Sequence, residues 1–222
     1  ISAIVRDEKE HKSLQAKEIL KSDIIKIIDS IPLSDDLKDI RDKALILVGF
    51  YSFCRRSELL RMKFEHLNYS NEGIQVWIPY SKTDQIGEGR AIFLPKADDN
   101  YCPVNALNHW LEVSQIEIGP LFYKINKSNK PDKYSLNKKH TKITLTDTRF
   151  VLMLKNRAAL AGLKDPNKIS GHSLRIGAIT QARMNGVPTH EIMAQSGHKT
   201  TQMIDRYTKL SNIIETSAAK KI

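Results

Sequence analysis

Between Gly171 and Tyr207 the sequence sets four side chains suited to chemistry at a phosphate into one helical stretch: His172, Arg175, His198 and Tyr207. Histidine can accept or donate a proton near neutral pH, and arginine offers a planar fork of donors with a permanent charge. A tyrosine becomes a covalent nucleophile only where cations and hydrogen-bond donors stabilise the charge of the group it attacks. His172 and Arg175 are three positions apart, roughly 60° around a helix, so both side chains can reach one anionic oxygen or two neighbouring ones. A helix N-terminus adds its own donors at the same place.

The elements that must carry these groups are legible from spacing. Ser173 opens an amphipathic run in which Ile176, Ile179 and Ala182 recur at helical intervals, and Asn185-Gly186 followed by Pro188 reads as its stop. Thr189 is a good N-cap for a second short helix, which Ser196-Gly197 breaks just ahead of His198. A third helix is expected from Thr200 or Thr201, with Met203, Ile204 and Tyr207 on neighbouring positions.

His172-Ser173-Leu174-Arg175, then Gly197-His198, then a tyrosine nine residues after that histidine resembles the C-terminal signature of the tyrosine recombinases, or phage-type integrases. Upstream, an Arg-Arg pair after an apolar helix is, taken alone, either a solvated terminus or a cation aimed into a site. Arg55-x-x-Glu58-Leu59 is similar to the family's first arginine motif, which aligns Arg55, and not Arg56, with the catalytic arginine. Glu58 then looks like the buried carboxylate that orients it. Lys82, in a polar Gly-rich tip that by itself would be a solvated hairpin, resembles the family's hairpin lysine. Arg56, Ser81, Thr83, Lys199 and Thr200, beside these positions, are candidates for DNA contact. Ile176 after Arg175 and Ser196 before Gly197 depart from the histidine and leucine that the family often has there.

The resemblance implies that Tyr207 attacks a DNA phosphodiester to form a 3′-phosphotyrosyl bond and free a 5′-hydroxyl, so that a second 5′-hydroxyl can reseal strands without ATP. In that scheme Arg55 and Arg175 clamp the non-bridging oxygens, and His198 donates to the same phosphate. His172 accepts or relays the tyrosine proton, and Lys82 donates one to the leaving oxygen. It also implies double-stranded DNA as partner, further protomers in a synaptic assembly, a tetramer on DNA, and DNA-bending accessory proteins. No cofactor or metal is expected, since no Asp/Glu or Cys/His cluster has ligand spacing and there is no Walker A loop. A type IB topoisomerase, which shares the tyrosine and cationic clamp, and a catalytically silent DNA-binding module are the alternatives.

Composition is in keeping. The 222 residues carry 35 Lys+Arg against 25 Asp+Glu, a net charge of +10, which suits a polyanionic partner. Cys54 and Cys102 form no disulfide framework, and no apolar run approaches the roughly 20 residues that span a bilayer. A cytoplasmic, DNA-associated protein of bacterial, phage or mobile-element context, with no membrane partner, is expected.

The fold class expected is α+β and predominantly helical, a tyrosine-recombinase catalytic domain with a small antiparallel β-sheet. Residues 1–15 read as a polar arm or linker and 16–209 as the catalytic domain; 210–222 reads as a tail that either folds back in cis or, as the resemblance implies, is exchanged between protomers. Helical periodicity begins around Ala16 and runs to Ile28, with Ser22-Asp23 as cap and Pro32 as stop. A second, buried helix spans Asp35 to Cys54. Ile74, Val76 and Ile78 alternate with polar or bulky neighbours and Ala91-Ile92-Phe93-Leu94 follows, giving a sheet of two or three strands. Pro103 starts a helix with Leu107, Trp110 and Leu111 inside, and Tyr123 to Lys142 reads as a basic loop. Thr146-Asp147 caps a helix carrying Phe150, Val151, Leu154, Ala158 and Ala161, ended by Gly162.

Overall fold

The protein is described by a computed structural model over residues 16–79, 89–126, 129 and 145–208, without the side chains of 205–208. The expectations for the 1–15 arm, for Ser81, Lys82 and Thr83, for most of the basic loop and for the 210–222 tail fall outside the described residues.

The core is built on α2 (Leu37–Tyr51), which Asp36 caps by accepting the Lys38 amide at 2.7 Å. Its run Ala44 to Val48 is wholly inaccessible, as a helix apolar all round must be. Helix α4 (Pro103–Ser114) lies along it, with Pro103 in the first turn and Leu107 and Trp110 fully buried. Trp110 is a core residue whose indole N–H donates to Leu121 O at 2.8 Å.

Three antiparallel strands, β1 (Leu67–Tyr69), β2 (Gly73–Ile78) and β3 (Arg90–Pro95), form a meander in that order. The register pairs Val76 with Ile92 and Ile78 with Arg90, and sends Ile74, Val76, Ile78, Ile92 and Leu94 inward. On the other face Trp77 and Phe93 are exposed. Helix α1 (Lys21–Asp29), the one-turn α3 (Arg56–Leu59) and α5 (Asp147–Leu160), capped by Thr146, complete the main body.

The C-terminal third is α6 (Ser173–Met184), α7 (Thr189–Ser196) and α8 (Thr201–Thr208). They share a small apolar cluster of Ile179, Ala182, Ile192 and Ile204. Helix α7 is also tied to β3, because the Gln195 side chain accepts the Phe93 amide at 3.1 Å and donates to Phe93 O at 2.8 Å. That single amide satisfies both main-chain groups of Phe93 on the outer edge of β3.

Three expectations are corrected. Ala16 to Leu20 is not helical: Lys17 and Ile19 donate their amides to Lys168 O and Ser173 O, each at 3.2 Å, so the segment runs extended across the start of α6. Helix α1 starts at Lys21, and Asp23 accepts the Leu20 amide from inside the first turn. The close crossing requires Gly177, where a Cβ would lie 1.7 Å from Ile19 O. Tyr123 is not loop surface; it is fully buried against Trp110, with ring centroids 5.3 Å apart. Thr189 is the first residue of α7 and not its cap, which is Pro188.

Candidate active site

Chain reversal after α2 sets the first part of the site. Phe53 adopts a left-handed conformation (φ 55°), which turns the backbone between α2 and α3 and leaves its carbonyl facing α6. Arg55 follows in extended conformation at the N-cap of α3. Glu58, one turn on and 5% exposed, receives the Arg55 amide on Oε2 at 2.8 Å and the Arg55 Nη1 on Oε1 at 2.9 Å. Burial alone would raise the Glu58 carboxyl, but hydrogen bonds and charge from Arg90 and Arg55 outweigh it and hold the group below the usual carboxylate range.

Arg175, 3% exposed on the first turn of α6, is held from two separate segments, the turn after α2 and the end of α7. Its Nη1 donates to Phe53 O at 2.7 Å and Ser196 O at 2.8 Å, and its Nη2 lies 2.9 Å from His198 Nε2. A guanidinium has only donors, so Nε2 accepts in this state and Nδ1–H is left to donate to Ser196 Oγ, 2.8 Å away. Burial, then the charges of Arg175, Arg55 and Arg90, push the His198 imidazole down to about 4, so it is neutral at pH 7.

His172 occupies the N-cap position of α6 with its side chain solvent-accessible. Partial desolvation of the ring, followed by the charges of Arg56, Arg175 and Arg55, lowers its proton affinity as well. Arg56 is partly exposed, pairs with Asp147 at 2.6 Å and leaves its Nε without a hydrogen bond. Lys199 and Thr200 are exposed between α7 and α8. Tyr207 lies on α8, one turn beyond the buried Ile204; its side chain, like Lys82 and its neighbours, is outside the described residues. The structure therefore sets two bonded pairs side by side, Arg55–Glu58 and Arg175–His198, near enough for the charges of Arg55 and Glu58 to act on His198, with His172 and Arg56 beside them.

Two participants lie outside the sequence motifs. Ser196 joins Arg175 through its carbonyl and His198 through its hydroxyl. Arg90, at the start of β3, donates to Glu58 Oε2 at 3.0 Å and to Cys54 Sγ at 3.6 Å. Its signal was in the period of the strand: Arg90 shares parity with Ile92 and Leu94, an inward position where a cation needs a buried partner. Cys54 itself is a protonated thiol, pushed up to about 11 chiefly by burial. Among the described residues no group of three or more His, Cys, Asp or Glu side chains is placed to hold a metal ion.

The sequence pattern of the phage integrase family matches residues 13–212. The chain belongs to the phage integrase family. A relative within reach by sequence is the integrase/recombinase xerD homolog of Selenomonas ruminantium, 35% identical over 189 residues, which are 85% of this chain and 52% of the relative. The fold of this integrase-family chain is similar to that of the XerH site-specific recombinase bound to palindromic difH substrate in a post-cleavage complex. The TM-score is 0.68 at 18% identity, over 93% of this chain and 54% of that one. It is also similar to a lambda integrase dimer bound to a COC′ core site, with TM-score 0.57, 14% identity, and 86% and 47% covered. The integrase-family chain thus spans about half the length of the relatives it matches, and its α+β fold is that of tyrosine-recombinase catalytic domains.

Proposed function

We propose that the chain is the strand-cleaving domain of a site-specific DNA recombinase that works through a 3′-phosphotyrosyl intermediate. The observation that carries this is the side-by-side placement of the Arg55–Glu58 and Arg175–His198 pairs, drawn from the start of α3, from α6 and from the end of α7, beside the helix that bears Tyr207.

In the cleavage step the Tyr207 oxygen attacks the phosphorus of a DNA phosphodiester, the bond from phosphorus to the 5′ oxygen breaks, and the phenol proton passes to His172. Tyrosine's ordinary pKa is about 10, so the phenol needs a neutral acceptor and a cationic surround. His172 is such an acceptor, because desolvation and the neighbouring guanidiniums disfavour its charged form. Arg55 and Arg175 take the charge that develops on the non-bridging oxygens. A phosphate oxygen arriving between Arg175 and His198 accepts from both once Ser196 Oγ–H turns to donate to Nδ1 and the imidazole presents Nε2–H. Lys82 supplies the proton to the leaving 5′ oxygen. Reversal, with a 5′-hydroxyl from a second strand as nucleophile, joins new partners with no external energy source.

DNA and further copies of the chain are the partners proposed, by analogy with a recombinase described on a palindromic difH substrate and an integrase dimer described on a COC′ core site. Residues 16–209 form the catalytic unit. Residues 210–222 dock on a neighbouring protomer within a tetramer, which accessory proteins assist by bending the DNA.

The test is strand exchange between two labelled duplexes carrying the junction sequences that flank the gene. Recombinant duplexes whose formation needs Tyr207 support the proposal. Relaxation of a supercoiled plasmid without exchanged products would replace it with a topoisomerase activity.

A further inference from the structure

We propose that Arg90 is a positioning residue of the phosphate site: through Glu58 it holds the Arg55 guanidinium in place and anchors the root of the β2–β3 connection to that same carboxylate. The proposal rests on the strand-cleavage function above, and on four observations.

Glu58 is one carboxylate serving two arginines from distant parts of the chain. Oε1 takes Arg55 Nη1 at 2.9 Å, while Oε2 takes both the Arg55 amide at 2.8 Å and Arg90 Nη2 at 3.0 Å. Arg55 engages both oxygens by itself, through its amide and its guanidinium; Arg90 adds a second cation on Oε2 from a distant segment, which favours the ionised carboxylate that Arg55 needs and fixes it against β3.

Arg90 is itself confined. Its side chain is 16% exposed, its Nη2 also reaches Cys54 Sγ, and its Nε is buried without a hydrogen bond. Gly197, with φ 70° at the C-cap of α7, lets the guanidinium lie flat on the backbone just before His198; a Cβ there would be 2.9 Å from Arg90 Cζ and Nε. Arg90 therefore touches the supports of both Arg55 and His198.

Its place in the sheet gives the third point. Arg90 pairs with Ile78 at the last rung before residues 79–89, the connection that carries Lys82. The rung fixes where that connection begins and returns. The ion pair fixes the rung against α3.

Charge completes the case. The groups facing Glu58 are Arg55 at the start of α3, Arg90 from β3 and the neutral Cys54 thiol from the turn after α2, with Arg175 of α6 and neutral His198 beyond them. Removing Arg90 leaves burial opposed by Arg55 alone, so the carboxyl takes up a proton at higher pH and releases its grip on Arg55.

The test compares wild-type chain with Arg90→Gln and Arg90→Lys. The rate of covalent adduct formation is followed from pH 5 to pH 9 on a nicked duplex carrying the flanking junction sequence, alongside DNA affinity, melting temperature and exchange of the Arg55 amide without DNA. Arg90→Gln is expected to melt cooperatively and to bind DNA within about threefold of wild type, while its cleavage rate falls about 10- to 100-fold. Its acid limb moves to higher pH and its Arg55 amide exchanges faster. Arg90→Lys, which keeps the charge, restores the acid limb.

A folded Arg90→Gln chain with wild-type rate, pH profile and Arg55 exchange would overturn the proposal. So would a rate loss matched by an equal loss of DNA affinity, which would make Arg90 a DNA-binding group. If wild-type chain forms no adduct, the cleavage function fails instead, and the Arg55 exchange still decides whether Arg90 holds Glu58 and Arg55.

Discussion

His198 binds its proton far more weakly folded than unfolded, and this has a consequence for stability. The ordinary value of 6.5 falls to about 4 in the fold. A depressed folded pKa means that the unfolded chain binds the proton first as pH drops. The stability associated with the neutral ring is therefore complete above pH 6.5 and is lost progressively down to about pH 4. The loss is on the order of 2–3 kcal/mol. Chemical denaturation at pH 7 and pH 4.5 is expected to show a larger difference for wild-type chain than for His198→Gln. Equal differences would contradict a neutral buried imidazole. Arg175 belongs to the same scale: a lysine there cannot span Phe53 O, Ser196 O and His198 together, so Arg175→Lys leaves buried acceptors unpaired. It is expected to lose about 1–3 kcal/mol of stability, and at least about 100-fold in the cleavage rate. Guanidine melts and single-turnover cleavage check the two halves. That Arg175 and His198 would lie close together could be read from the short spacing of the Gly171–Tyr207 stretch. For Arg90 the strand's period marks only an inward position; its partner Glu58 lies 32 positions upstream, and only the fold brings the two together.

At the scale of elements, α6 is the piece on which the site depends, and its packing is tightest at Gly177. Gly177→Ala would drive a Cβ into the backbone of Ile19, and neither main chain can yield without losing the Ile19 to Ser173 hydrogen bond. A loss of about 1–3 kcal/mol or more is expected, with a melting temperature several degrees lower. An unchanged melting temperature would mean that residues 16–20 do not lie across α6. This crossing explains why the N-terminal segment was misjudged. Ile19 is fully buried, and its apolar character continues smoothly into Ile24, Ile27 and Ile28. Periodicity alone cannot distinguish an extended segment buried under a helix from the first turn of the next one. The β2–β3 hairpin, α2 and α4 gave clear signals because alternation or helical spacing coincided with turn residues at their ends. Strand β1, only three residues long with an intermediate-to-exposed pattern, had no period to read.

For the whole molecule, charge and length set the expectations. A net charge of +10, on a chain that spans about half the length of the relatives it matches, suits DNA affinity dominated by phosphate contacts. With three phosphates met, one by Arg55 and Arg175 together and one each by Arg56 and Lys199, raising salt from about 50 to 200 mM is expected to weaken binding about 40-fold. Fluorescence anisotropy with a labelled duplex reads this directly, and a slope near zero would show that the basic surface does not meet the DNA backbone. The α+β class and the small antiparallel sheet could be read before any coordinates, because long helices with buried stripes and one alternating hairpin leave few architectures open. The tight interlocking of Arg55, Glu58 and Arg90 could not, because it is a property of three chain segments and of none alone.

Covalent trapping tests the central claim most directly. Wild-type chain and Tyr207→Phe are incubated with a nicked suicide duplex carrying the junction sequence flanking the gene, then denatured and resolved by gel, with the attached residue mapped by mass spectrometry. A denaturant-resistant adduct on the 3′ phosphate, mapped to Tyr207 and absent from the phenylalanine variant, is expected. An adduct that persists in Tyr207→Phe, or none at all from wild-type chain that demonstrably binds the duplex, would contradict that claim.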